Sequence, residues 1–153
     1  LQTRFKARIK KSPEKALKEL EKIAKSFAKG GDTVKVGLPK GSNAYPDGTS
    51  VIMVGAVHEF GSTKIGVPQR SYLRTTVTEK RNDYKKLMAK ISKSIVDGKR
   101  TKKQGLGLIG LQVQGDVQQK IYDIDTPPLK DRDGNPLIDT GHLRQSITYE
   151  VSE

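Results

Sequence analysis

The chain has 153 residues, 33% of them hydrophobic and 5% aromatic, which suits one ordinary domain with a thin core. It has no cysteine, which excludes disulfides, thiolate chemistry and Cys-ligated metal, and it has no apolar run of membrane-spanning length. The net charge of +12 is spread unevenly, with +7 over residues 1–30, +1 over 31–70, +8 over 71–104 and −4 over 105–153, which suits nucleic acid, an acidic protein surface or head-to-tail contact between copies.

The opening LQTRFKARI alternates Leu1, Thr3, Phe5, Ala7 and Ile9 with polar and basic residues. That period of two predicts a strand with one wet face, and no apolar stretch follows to make it a secretory signal. Ser12 as N-cap and Pro13 at the first helical position open a predicted helix. Its apolar face is Leu17, Leu20, Ile23, Ala24 and Phe27, and Gly30–Gly31 stop it. Residues 33–39, TVKVGLP, read as a short strand, and KGSNAYPDGTS at 40–50 as a mobile loop with a Pro-Asp-Gly turn.

Residues 51–61 fit a helix better than a strand, with Val51, Val54, Ala56/Val57 and Phe60 on one face and Gly55 counting against it. Pro68 sets up the longest periodic segment, 71–99. There Leu73, Val77, Tyr84, Leu87, Met88, Ile91 and Ile95 face one way, interrupted at Lys80/Arg81 and ended by Gly98. A second mobile loop is expected near 98–107. Leu106, Ile109, Val113, Val117 and Ile121 then recur at helical spacing, among three glycines that lower helicity and suggest close packing. Residues 125–136 are irregular. A short helix from Thr140 to Ser146 and a strand with Ile147, Tyr149 and Val151 on one face close the chain. The expected class is α+β: a small mixed or mainly antiparallel sheet packed against one long and two or three shorter helices, as one domain over 1–153.

Three strings look catalytic, and each lacks its context. GLGLIG at 105–110 satisfies G-x-G-x-x-G, but GKRTKKQ precedes it where a dinucleotide loop needs a hydrophobic strand. LIDTG at 137–141 resembles the aspartic protease loop, but that chemistry needs two carboxylates sharing a proton and the chain has one copy. Its bland reading is that Asp139 or Thr140 caps the following helix and Gly141 relaxes the approach. In GAVHEFG at 55–61, His58 has Ser62 four residues on, where a zinc peptidase helix needs a second histidine. The other histidine, His142, lies in a distant segment. The competing reading inserts Phe60 into the core or a subunit seam, leaves His58 and Glu59 as boundary contacts, and turns the chain at Gly61. No catalytic residue, metal site or cofactor is therefore expected.

Nucleic acid is a stronger rival. Lys80, Arg81, Lys85, Lys86, Lys90 and Lys93 crowd one predicted helix, with Lys99, Arg100, Lys102 and Lys103 beyond it. Phosphate contact needs little more than such charge. Stacking aromatics are scarce, there is no Trp, and no recognition motif appears.

Two further segments carry a resemblance. The first is Glu59–Phe60–Gly61 followed by Pro68, Arg70, Tyr72, Leu73 and Arg74. The second is Leu137, Asp139, Thr140, Gly141, Leu143, Ser146 and Ile147. In this order, with a helical insert between them, they resemble the neck and tail-completion proteins of long-tailed bacteriophages and prophages. The similarity runs over roughly residues 33–152. Gln69 and Tyr72 replace the more usual Ala/Gly and Phe. The resemblance implies a non-enzymatic virion subunit that forms a ring, expected to be of six, at the head–tail junction. It implies a connector or head-closure protein on one side and a tail terminator or tube protein on the other. The cations would then face packaged DNA or an acidic neighbouring ring, with no membrane involved, in host cytoplasm during assembly and in the virion neck thereafter. Phe60→Ala is expected to disrupt folding or assembly before His58→Ala does.

Overall fold

The computed structural model describes residues 14, 15, 17, 18, 21, 25, 31–42, 44–130 and 133–152. The chain divides into two units, residues 1–31 and 32–153. In the first, Glu14, Lys15, Leu17, Lys18, Glu21 and Lys25 are helical, within the helix that Ser12 and Pro13 predict. The strand predicted over 1–9 lies outside the described residues.

The second unit runs β1 (Thr33–Gly37), α1 (Val51–Phe60), α2 (Leu73–Glu79), α3 (Arg81–Val96), α4 (Lys102–Asp123), α5 (His142–Gln145) and β2 (Thr148–Ser152). TVKVG and TYEVS alternate, so their antiparallel pairing sets Val34 opposite Val151 and Val36 opposite Tyr149 on one face. That face packs on α4, and Gly110 lets it come close. A methyl group at Gly110 would lie 2.4 Å from the Tyr149 ring and 2.8 Å from Val34. The glycines that weaken α4 as an isolated helix thus include one that seats the sheet.

The domain is a small mixed α/β unit with a two-stranded antiparallel sheet, but the helix inventory differs from the expected one. Five helices appear among the described residues of this second unit, and two are long: α3 with 16 residues and α4 with 22. The single segment predicted over 71–99 breaks at Lys80, whose backbone sits at φ −95°, ψ 9°. The cause is long-range. Asp116 on α4 accepts from Lys80 Nζ at 2.8 Å and from the Tyr84 hydroxyl at 3.0 Å, while Lys120 donates to Glu79 at 2.9 Å. These contacts pin the corner to α4. Around it, Val77 and Met88 turn outward, and Thr76 takes a buried place with its hydroxyl donating to Tyr72 O at 2.6 Å.

α4 starts inside the 98–107 stretch read as a loop, because Thr101 and Gln104 form a capping box. Thr101 Oγ1 accepts from the Gln104 N–H, and Gln104 Oε1 accepts from the Thr101 N–H. Residues 40–41 and 46–47 lie in turns, with Gly48 N–H donating to Tyr45 O and Thr49 N–H to Asp47 Oδ1. The core gathers Val51, Tyr72, Val117, Ile121, Leu137, Leu143 and Ile147. No helix among the described residues is long and apolar enough to cross a membrane.

Candidate functional site

α1 buries a stripe one helical turn apart: Val51, Gly55 and Glu59. Ser50 caps its start by accepting from Met53 N–H. Gly55 lies against Leu38, Tyr72 and Leu143, with a Cβ there only 2.3 Å from Leu38. The glycine that counted against a helix is what lets this helix dock. The apolar face predicted from Val51, Val54 and Phe60 is rotated as a result. Phe60 is 64% exposed and is not a core anchor, because the docked side of α1 is the Gly55 side.

Glu59 takes the anchoring role instead. Its side chain is buried, and α2 begins directly in front of it. The carboxylate accepts from the backbone N–H groups of Tyr72 (2.9 Å), Leu73 (2.9 Å) and Arg74 (3.1 Å), from Ser71 Oγ (2.7 Å) and from Arg74 Nε (2.9 Å). Tyr72, at the N-cap of α2, makes no side-chain cap bond, so the orphan donors of that helix are satisfied by an acid on another helix. Burial pushes the Glu59 carboxyl up, but its donors outweigh burial and hold it below the ordinary carboxylate value. Glu59 O also accepts from Gln69 Nε2 and from the Arg74 guanidinium, which lies 4.6 Å over the exposed Phe60 ring.

Between the two helices the chain turns at Gly61, with φ 74°, and Ser62 bridges Val67. Arg70, 5% exposed, donates from its backbone N–H to His58 O, and its guanidinium donates to Pro127 O at 2.7 Å and Pro128 O at 3.2 Å. It ties this element to the segment that leads into Leu137. From there Leu137, Leu143 and Ile147 enter the core beside Tyr72, and Leu73 packs against them half-buried. Gly141 holds φ 76° at the start of α5. Thr140 Oγ1 faces the His142 N–H at 3.4 Å, and Ser146 Oγ donates to His142 O. Pro68 itself is exposed.

A cleft of about 350 Å³ opens where these segments meet, lined in part by Tyr45, His58, Leu137, Asp139, Thr140 and His142. The fold therefore brings the two histidines and Asp139 to one hollow, although they are far apart in sequence. Tyr45 packs on the His142 ring at 4.7 Å, and burial followed by Asp139 raises the Tyr45 hydroxyl pKa. The buried His58 Nδ1 has no hydrogen-bond partner among the described residues; burial and then the Arg70 charge lower its pKa, favouring neutral imidazole. Among the described residues no group of three or more His, Asp or Glu is arranged to hold a metal ion.

The predicted cations fall into two sets. Lys80 pairs with Asp116, Lys102 with Asp32, Lys99 approaches Asp97 at 3.8 Å, and Arg100 donates to Ser94 Oγ. Arg81, Lys85, Lys86, Lys90 and Lys93 are exposed along α3, and Lys103 is exposed at the start of α4. Sequence reasoning placed Glu59 among the signature residues, as a fold or subunit-interface anchor, without giving it the role of hub, and it missed Asp116 as the corner pin. A signal for Glu59 exists: α2 follows Pro68 with no capping residue of its own at Tyr72, so its amides require an acceptor from elsewhere. Comparison with family models, with curated proteins and with solved structures found no match.

Proposed function

We propose that the chain is a structural subunit of the neck of a long-tailed phage particle, building a ring between the capsid connector and the tail. The observation that carries this reading is the convergence of the two signature segments. Glu59 and Arg70 of the first bind the start of α2 and the 127–128 carbonyls. Tyr72 of the first and Leu137, Leu143 and Ile147 of the second share one core. The residues that carry the resemblance form one structural unit and leave apolar and cationic surface outside for partners. The family's neighbours, a head-closure or connector protein and a tail terminator or tube protein, are the partners this reading names, with the host cytoplasm and then the virion as its location. Negative-stain imaging of the purified protein, alone and with connector complexes, is expected to show rings. A monomer at every concentration that also fails to join those complexes would refute the reading.

A DNA-binding role is the second reading, favoured by the exposed run Arg81, Lys85, Lys86, Lys90 and Lys93 on α3. It requires duplex affinity in the free subunit that falls steeply with salt. Affinity that is absent at low salt would remove it.

A further inference from the structure

Among the described residues β2 pairs with β1 alone. Along its other edge alternate residues turn N–H and C=O groups outward, as any edge strand does. Beside β2 and the first half of α4 lies a shallow groove of about 760 Å³. Its apolar lining includes Leu108, Leu111, Tyr149 and Val151, and Leu108 and Leu111 are 41% and 57% exposed. Lys99, Arg100 and Lys103 complete it, and no Asp or Glu is among its described lining residues. Main-chain donors and acceptors, an apolar floor and a cationic border thus lie together.

We propose that this groove receives an extended segment of a partner protein that adds a strand to β2. Its alternate apolar side chains rest on Leu108 and Leu111, and its carboxylates meet Lys99 and Arg100. A helix has no free main-chain groups to give the edge, a basic segment is repelled by the border, and a nucleic-acid strand leaves both leucines wet. The inference goes beyond the neck reading and holds whether or not the chain builds a ring.

The test uses the full chain and a fluorescein-labelled peptide, Glu-Val-Thr-Val-Glu-Val-Glu, read by fluorescence anisotropy. Saturable binding is expected, with the Lys-for-Glu peptide weaker by at least about tenfold. Leu111→Glu is expected to weaken the acidic peptide by a similar factor with an unchanged circular dichroism spectrum. Lys99→Glu, which leaves the apolar floor intact, should narrow the gap between the two peptides even if the leucine variant folds poorly. Equal affinity for both peptides, or full affinity in Leu111→Glu, overturns the proposal. So does protection from exchange of alternate β2 amides in the free protein, which would mean the edge is already covered. A mass that rises with concentration and is lost in Leu111→Glu would assign the edge to a second copy instead, and also overturns it.

Discussion

Glu59 and Phe60 stand side by side in the sequence, yet the first is buried and the second exposed. Glu59 joins α1 to α2 by satisfying amides that no local side chain caps, so its loss leaves buried donors without an acceptor. Glu59→Gln keeps one acceptor and turns the other position into a donor facing donors. It should lose about 2–3 kcal/mol of stability, read as a lower urea midpoint. Phe60→Ala removes an exposed ring and its Arg74 contact, so its midpoint should shift by no more than about 1 kcal/mol. Acid should act on His58 and Glu59 in turn. His58 is held below 6.5 by burial and Arg70. As pH falls from 6.5 toward its folded value, the unfolded chain takes a proton that the folded one refuses, and stability declines. Glu59 is held below 4.5, so its contribution is full above 4.5 and is lost as pH falls through the lower folded value. Urea midpoints across pH 7 to 3 should show both declines in the wild type. His58→Gln should flatten the upper one and leave the lower. The HEF string showed that chemistry-bearing residues sat here. It did not show which faced inward, because Gly55 and not Phe60 sets the rotation of α1.

Local pattern carried the elements as far as their causes were local. β1, α1 and β2 appear where alternation, helical spacing and glycine punctuation place them, while α4 begins ahead of its predicted start, at a capping box the spacing did not reveal. The break at Lys80 was invisible to periodicity, since Asp116 lies 36 residues further on. The fate of the glycines was hidden for the same reason. A helix with Gly107, Gly110 and Gly115 scores poorly alone, yet the sheet rests on one of them. Gly110→Ala separates these effects. Propensity alone would stabilise α4 by up to about 1 kcal/mol, whereas the methyl must displace Tyr149 and Val34, at a cost of about 1–3 kcal/mol. The packing cost should win. Gly115, with open space where a Cβ would stand, gives the control. Thermal melts of Gly110→Ala below wild type and Gly115→Ala at or above it are the expected pair of outcomes.

At the scale of the molecule, the core joins Tyr72, Leu137, Leu143 and Ile147 of the two signature segments to Val51, Val117 and Ile121, and some apolar surface is left outside it. α1 turns Ile52, Met53, Ala56 and Phe60 outward along one face, and Ile65 in the following turn is also exposed. α1 itself contributes no charged residue to this face, although the Arg74 guanidinium lies over the Phe60 ring, whereas α3 presents mainly cations. The thin composition did not identify this face, because that depends on which side of α1 docks. If the neck reading holds, the α1 face is the natural seam: its burial would stabilise contacts between subunits without being needed to fold one. Replacing Met53 with Asp tests this, since Met53 is 64% exposed and lies outside the core. The variant should melt within about 0.5 kcal/mol of wild type, as surface changes do. It should also lose rings in negative stain and sediment as a smaller species at concentrations where wild type assembles. The same outcome in salt high enough to screen the α3 cations would separate an apolar seam from an ionic one, because burial of Met53 and Phe60 does not weaken with ionic strength as charge pairing does.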